Sequence, residues 1–152
     1  MPAKILSGLV ALLGLFLAGC ESSIKERTAD APPKVQEFEG STERVYIAAK
    51  KAFKQLDFEL IRSSMGRIEA ASSIHRSEAF GNSRQQVAKV RIHEGSPGKS
   101  EVEMWLTEEV AGDQFGGTYR KPLPEHDFYA LYFTILQQVL SEDNGGESAP
   151  KK

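Results

Sequence analysis

Apolar residues at helical spacing predict two helices in this chain. The first begins after Ser41 as N-cap, carries Glu43 in its first turn and ends near Leu56. The second runs from about Pro124 to Leu140. Both have a broad apolar stripe, formed by Val45, Ala48, Ala49, Ala52, Phe53 and Leu56 in the first helix and by Phe128, Leu131, Tyr132, Ile135, Leu136, Val139 and Leu140 in the second.

Alternation of apolar and polar residues predicts strands before and between these helices. The alternating segments are residues 35–39, 58–61, 68–75, 87–93 and 101–107. Gly66 marks a turn between the second and third segments, because glycine adopts positive φ without strain. Residues 94–98 are rich in turn formers and predict that the last two segments form a hairpin.

The charges along this hairpin predict a register. If His93 faces Lys99, opposite charges meet on one face and apolar side chains on the other, in the pairs Arg91–Glu101, Lys89–Glu103, Val90–Val102 and Ala88–Met104. The same alternation places Trp105 on the charged face, where its indole either covers Val87 or remains available to a partner.

Together these elements predict an α+β fold in the order β-α-β-β-β-β-α. One sheet face is apolar and the other is charged, which suits a two-layer sandwich with both helices on one face of a mostly antiparallel four- or five-stranded sheet. The glycine-rich residues 111–123 are expected to form a loop before the last helix. The predicted organisation is a signal peptide at 1–19, a lipidated tether at 20–34, the domain at 35–141 and a disordered tail at 142–152.

Composition limits which partners the chain can bind and which interactions can stabilise the domain. The formal net charge is −2, which gives no electrostatic reason to expect nucleic acid as a partner. It also argues against a chain that holds an anionic membrane surface by charge, which a covalent lipid would make unnecessary. The chain has a single cysteine, so no intramolecular disulfide forms and the domain depends on its hydrophobic core.

The first 20 residues have the anatomy of a bacterial export signal, with a lysine, an apolar stretch and an exit of small residues. The exit, Leu17-Ala18-Gly19-Cys20, resembles the lipobox of bacterial lipoproteins. The resemblance implies that the Cys20 thiol is alkylated with diacylglycerol. It also implies cleavage between Gly19 and Cys20, which leaves acylated Cys20 as the first residue. A transmembrane helix fits less well, because residues 5–19 would span about 22 Å of a hydrocarbon core of roughly 30 Å.

A helix-to-strand motif resembles a family of small bacterial lipoproteins of unknown function. It consists of residues 53–60 (FKQLDFEL), the glycine turn and residues 67–70 (RIEA), within a match that covers residues 35–140. Asp57 stands where that family more often has glycine. The layered topology is also similar to the helix-grip modules of the BamC lipoprotein of the outer-membrane assembly machinery. Neither resemblance supplies catalytic residues, since a shared fold does not carry a function.

The residues of catalytic and metal sites do not form a recognisable motif. His75, His93 and His126 lack the spacing of a helical metal site and have no cysteine partner once Cys20 is acylated. No serine lies in a nucleophile elbow. Residues 112–117 fit neither a calcium loop nor a phosphate loop. We therefore predict no enzyme activity, no metal site and no cofactor.

Three aromatic residues are candidates for contact with a partner. Trp105 is predicted on the charged sheet face, and Phe115 and Tyr119 lie in the predicted 111–123 loop.

The sequence thus predicts a lipid-anchored envelope protein that binds or scaffolds other envelope components. The alternative is a lipoprotein that binds a small hydrophobic ligand or a glycan between the sheet and the helices. Its partners are the membrane, through the lipid on Cys20, and candidate envelope proteins. In lipoproteins of Gram-negative bacteria an aspartate after the lipidated cysteine favours the inner membrane. If the host is a Gram-negative bacterium, Glu21 at that position implies the outer membrane, facing the periplasm.

Overall fold

The computed structural model describes residues 31–77, 82–112 and 118–145. In these residues the chain forms two helices and seven strands. The elements are β1 (Lys34–Glu39), α1 (Thr42–Gln55), β2 (Glu59–Ser64), β3 (Arg67–Ala71), β4 (His75–Ser77), β5 (Asn82–Glu94), β6 (Lys99–Gly112), β7 (Thr118–Pro122) and α2 (Phe128–Gly145). None of the described helices is long and apolar enough to cross a membrane.

The strands form one antiparallel sheet with the order β1-β6-β5-β3-β2. Two short strands lie off this path, because β4 pairs with β5 and β7 pairs with β6. Both helices pack on one face of the sheet, and their apolar residues join those of the strands in one core. The predicted α+β sandwich is confirmed, with a five-stranded path and two additional strands.

Helix α1 begins and ends with two different capping motifs. At its start the Ser41 side chain accepts a hydrogen bond from the backbone N–H of Arg44 at 3.3 Å, as the sequence predicts. At its end the N–H of Phe58 donates to the Phe53 carbonyl at 3.0 Å, and the N–H of Asp57 donates to the Lys54 carbonyl at 3.3 Å. This is the Schellman pattern of helix ends.

The Schellman motif requires a left-handed residue directly after the C-cap, and here that residue is Asp57 with φ of 58°. Glycine takes this conformation without strain, whereas a residue with a Cβ does not. Glycine would therefore fit this position with less strain than Asp57 does. The rings of Phe53 and Phe58, 5.9 Å apart, supply the apolar contact that accompanies the motif.

The layer between helices and sheet is packed with aromatic rings and small residues. Ala48, Ala49 and Ala52 on α1 are fully buried and permit a close approach of this helix to the sheet. The ring centroids of Phe53 and Tyr132 lie 4.5 Å apart. This separation lies in the range of favourable aromatic pairs, so α1 and α2 contact each other as well as the sheet.

Two neighbouring tyrosines on α2 have opposite hydrogen-bonding environments. The Tyr129 hydroxyl accepts a hydrogen bond from the backbone N–H of Leu106 at 2.9 Å. Leu106 lies in β6 between the segment paired with β1, which ends at Met104, and the segment paired with β7, which begins at Thr107. The Tyr129 hydroxyl therefore pairs with a backbone N–H of β6 that lies outside the segments paired with β1 and β7. The buried Tyr132 hydroxyl has no hydrogen-bond partner among the described residues.

The hairpin of β5 and β6 has a register that differs by two residues from the prediction. His93 is opposite Glu101 rather than Lys99, and Arg91 is opposite Glu103 rather than Glu101. The remaining predicted pairs shift likewise, to Lys89–Trp105, Val90–Met104, Ala88–Leu106 and Val87–Thr107.

The tight turn explains this difference. The N–H of Lys99 donates to the Ser96 carbonyl at 2.8 Å, and the N–H of Gly95 donates to the Lys99 carbonyl at 3.2 Å. Gly98, with φ of 79°, takes the left-handed conformation that closes a three-residue loop. A shift of two residues leaves every side chain on its predicted face, because side chains alternate with a period of two.

The predicted 68–75 strand is interrupted after Ala71, where side-chain hydrogen bonds join Ser72 to β5. The Ser72 hydroxyl accepts a hydrogen bond from the backbone N–H of Gln86 at 3.0 Å. Pairing with β5 resumes in β4, where the register is shifted by one residue relative to the pairing of β3 with β5. The shift is that of a β-bulge, and Ile74, which alternation assigns to the apolar face, is 63% exposed.

Other boundaries also differ from the prediction. Helix α2 continues to Gly145 and so includes the first residues of the predicted 142–152 tail. The predicted 111–123 loop contains β7, which extends the sheet beside β6. Helix α2 begins at Phe128 rather than near Pro124, because the ring Nδ1 of His126 accepts a hydrogen bond from the backbone N–H of Phe128 at 3.1 Å. Glu125 lies before the helix and pairs with Lys34 at 2.8 Å.

The two tyrosines provide a matched pair of stability predictions. Tyr129→Phe is expected to lower the free energy of unfolding by about 1–3 kcal/mol, because it leaves the Leu106 N–H buried without an acceptor. Tyr132→Phe is expected to leave stability unchanged or raise it, because it removes a buried hydroxyl that bonds to none of the described residues. Chemical denaturation of both variants measures the difference, and equal losses would contradict the assignment.

Alkaline pH gives a second readout of the same pair. Burial raises the pKa of Tyr129 and of Tyr132 above the ordinary value. The unfolded chain therefore ionises first, and wild-type stability should fall as the pH rises above about 10. Tyr132→Phe should make this fall shallower.

Asp57 gives a prediction of opposite sign. Asp57→Gly is expected to raise the free energy of unfolding by about 1 kcal/mol, because it removes the strain of a Cβ at positive φ. Asp57→Ala is the matched control, since it removes the same carboxylate and keeps the strain. Thermal unfolding of both variants tests this, and an equal rise in both would trace the effect to the charge instead.

Candidate binding groove

The sheet face opposite the helices carries a groove with a volume of about 950 Å³. Its wall comes from neighbouring strands, because the residues that alternate with the core residues of β3 and β5 point to this side. Its lining includes Arg62, Ser64, Arg67, Glu69, Lys89, Arg91, Trp105, Thr107, Arg120 and Pro122. Ala31, Pro32 and Pro33 also line it, so the segment that enters β1 forms part of the wall.

Trp105 is the aromatic residue that the open sheet face contributes to the groove, whose lining also includes Tyr129 of α2. It is half-buried and lies directly across from Lys89. The guanidinium of Arg91 lies 5.2 Å from the centre of its ring, within the range of a cation–π contact. The predicted location of Trp105 on the charged face is therefore observed, and its role in contact with a partner stays a prediction.

The groove is strongly basic although the chain as a whole is acidic. Five basic side chains and one acidic side chain line it, whereas the net charge of the chain is −2. Three of the basic residues have carboxylate neighbours, with distances of 4.0 Å for Lys89–Glu69, 3.7 Å for Arg91–Glu103 and 2.7 Å for Arg120–Glu109.

The remaining two basic residues, Arg62 and Arg67, have no carboxylate within 4.0 Å among the residues that the structure describes. They lie on adjacent strands, since β2 pairs Arg62 with Glu69 and Ser64 with Arg67. Such diagonal neighbours are about 7–8 Å apart at their backbones, so long side chains can converge. Guanidinium groups suit phosphate and carboxylate oxygens because they donate two parallel hydrogen bonds.

A second cluster beyond one end of the groove combines a histidine with two carboxylates. His93 Nε2 lies 3.4 Å from Glu101 Oε1 and 3.8 Å from Glu103 Oε1. Potential ligand atoms of the three residues lie within 4.8 Å of one another. A metal cation could bind these ligand atoms. The carboxylates already have neighbours of their own, however, because Arg91 lies 3.7 Å from Glu103 and the His93 ring lies beside both carboxylates. Their proximity follows from the observed register, which brings His93 opposite Glu101.

The other predicted site residues do not join Trp105. Tyr119 lies on β7 opposite Val110, 61% exposed, and is not part of the groove lining. Val110 lies five positions along β6 from Trp105, a distance of roughly 17 Å along a strand. Phe115, Gly19 and Cys20 lie outside the described residues. His75 lies on β4 and His126 precedes α2.

The groove residues Arg62 and Arg67 do not stand out in the sequence. Arg67 could be found from alternation along β3, which places it on the same face as Glu69. Arg62 could not, because a register shift between Leu60 and Arg62 interrupts the alternation in β2.

The comparisons with known proteins assign no family. No family model matches the chain, and no curated protein matches it. The crystal structure of the adenylate sensor from AMP-activated protein kinase in complex with 5-aminoimidazole-4-carboxamide 1-beta-D-ribofuranotide is similar at 13% identity and a TM-score of 0.42, over 70% of this chain and 94% of that one.

The crystal structure of a DUF4468 family protein from Bacteroides ovatus is similar at 15% identity and a TM-score of 0.32, over 78% of this chain and 86% of that one. Similarities at this level carry no argument about the function of the present chain.

The location of Trp105 generates a stability prediction. Trp105→Ala is expected to cost about 1 kcal/mol of unfolding free energy, because the ring is half-buried on a face that the helices leave open. Phe53→Ala, in the fully buried layer, is the comparison and is expected to cost about 3–5 kcal/mol. Chemical denaturation measures both. A loss at Trp105 as large as that at Phe53 would place the indole in the core.

Proposed function

We propose that this chain is a lipid-anchored protein of the bacterial envelope that acts as a non-enzymatic binding or scaffolding module. The groove around Trp105 is its binding surface. The observation that carries the proposal is this groove, which combines an aromatic ring with unbalanced positive charge on the face that the helices leave open. The lipobox-like segment ending at Cys20 supports the anchor, and Glu21 favours the outer membrane, facing the periplasm.

The packing of the domain favours the open face over the alternative site between sheet and helices. A small hydrophobic ligand or a glycan there would have to occupy the layer that holds Phe53, Met104 and Tyr132. These three side chains are among the largest that are fully buried. A ligand in this layer would displace packed side chains, whereas the groove accepts one without any rearrangement of the core.

The position of the tether also supports a binding role near the membrane. Residues 31–33 line the groove, and Cys20 precedes them by only eleven positions. An anchor at Cys20 therefore holds the groove within roughly 40 Å of the acylated residue, even when the tether is fully extended. This distance suits a module that contacts other components at the membrane surface.

The test uses the full-length chain expressed in a Gram-negative host. Wild type should incorporate a palmitate analogue and fractionate with outer-membrane markers, whereas Cys20→Ala should do neither, because no other thiol is available. Affinity capture from detergent-solubilised envelope should recover partners that Trp105→Ala fails to retain. Tyr119→Ala, an exposed aromatic outside the groove, is the matched control.

Two results would contradict the proposal. Equal lipid incorporation into Cys20→Ala would remove the anchor. Identical partners captured by wild type and by folded Trp105→Ala would remove the groove as the binding surface.

A further inference from the structure

We propose that the groove binds the phosphate head groups of anionic phospholipids in the membrane that holds the anchor, so that the open sheet face rests on the bilayer surface. This inference rests on the proposed function, since it takes from it the anchor at Cys20 and the groove as the binding surface. It names the occupant of that surface. The occupant is an anionic lipid head group with Arg62 and Arg67 as its principal ligands.

The charge distribution is the first support. Arg62 and Arg67 supply positive charge that no carboxylate within 4.0 Å balances in the described part of the chain. They flank Ser64, whose position opposite Arg67 adds a hydroxyl to the same wall. Two guanidinium groups and a hydroxyl offer the donors that a phosphodiester accepts. The negative net charge of the chain opposes this contact at long range, but the groove lining itself holds five basic side chains and one acidic side chain, and screening limits the reach of more distant acids.

The apolar residues at the rim are the second support. Met65, 92% exposed, and Ile61, 52% exposed, are immediate neighbours of the groove residues Ser64 and Arg62. Val35 is 50% exposed and is paired with Glu103 on the edge strand β1. Exposed apolar side chains beside basic residues are typical of surfaces that lie in the head-group region of a bilayer.

The half-buried Trp105 agrees with the same environment. Tryptophan is enriched at membrane interfaces, where its ring contacts apolar groups and its N–H contacts polar ones. In this groove the ring lies among Lys89, Arg91 and Thr107 rather than in an apolar pocket. A groove of this composition fits a lipid head group better than an apolar ligand.

The position of the tether favours a membrane lipid over a soluble phosphate compound as the occupant of the groove. Residues 31–33 form part of the groove wall, so the chain that leads to Cys20 leaves the domain at the groove itself. The eleven positions back to Cys20 bring this wall within roughly 40 Å of the bilayer at full extension and closer in a relaxed chain. Head groups of the anchoring membrane are therefore the phosphate groups at the highest local concentration.

The experiment measures vesicle binding without the covalent anchor. Residues 21–152 are suitable because every strand, helix and core residue that the structure describes lies within Lys34–Gly145. Vesicles contain equal parts of phosphatidylcholine and phosphatidylglycerol, or phosphatidylcholine alone. Co-sedimentation measures binding, and fluorescence reports on the groove directly, because Trp105 is the single tryptophan of the chain.

Wild type is expected to bind the anionic vesicles, with a blue shift of Trp105 emission, and to be released at high ionic strength. Arg62→Gln and Arg67→Gln should each weaken partitioning about fivefold, and the double variant about 25-fold. The double variant Lys50→Gln/Lys54→Gln is the matched control. It removes two positive charges from α1, on the other side of the sheet, and should bind as wild type does.

Circular dichroism establishes that each variant is folded. If the double glutamine variant fails to fold, Arg62→Lys/Arg67→Lys replaces it. Lysine keeps the charge and loses the paired donors, so this variant should bind the anionic vesicles measurably more weakly than wild type.

Three outcomes would overturn the inference. The first is equal binding to neutral and anionic vesicles. The second is an equal loss in the arginine variants and the lysine control. The third is a shift of Trp105 emission with sn-glycerol 3-phosphate but no binding to either vesicle, which would make the groove a site for a soluble phosphate ester. If vesicles fail to bind while capture still depends on Trp105, this inference falls and the proposed function stands.

Discussion

The structure depends on a single constraint, which is that two helices can cover only one face of a five-stranded sheet. The covered face is closed by small residues on α1 and aromatic residues on both helices, with Phe53 and Tyr132 in contact at 4.5 Å between ring centroids. Burial of this layer is the main source of stability in a domain whose described residues include no disulfide. Because none of the described helices and strands covers the other face, charged residues there remain at the surface and are available for binding.

The register of the hairpin of β5 and β6 decides which side chains meet on the open face. Gly98 closes the hairpin with a three-residue loop, and the resulting register brings Trp105 opposite Lys89 and beside Arg91. The same register brings His93 to Glu101. One glycine in a turn thus decides which side chains meet far along the strands, because register propagates along an antiparallel pair.

The groove shows how a fold separates charges that are mixed in the sequence. Arg62 and Arg67 come from consecutive strands and Arg91 from a strand further along the chain, yet all three line the groove. Carboxylates balance some of these charges on the same face, and the excess remains where β2 and β3 meet. Net charge is a sum over the chain, whereas binding depends on the local potential, which screening limits to about 10 Å at moderate salt.

The sequence by itself determined the features that depend on local periodicity and capping. Alternation and helical spacing predicted α1 with its Ser41 cap, the hairpin of β5 and β6 and the face on which Trp105 lies. These features depend on nearest neighbours along the chain, so the chain pattern contains them.

Only the tertiary structure decided the features that require contacts between distant segments. The hairpin register needed the turn hydrogen bonds of Lys99, and the start of α2 needed the His126 cap. Strand β7 forms in a glycine-rich segment because β6 offers it an edge. The basic groove arises from the order of the strands and from a bulge in β2 that places Arg62. No periodicity encodes such meetings, since they depend on which strands become neighbours after the chain folds.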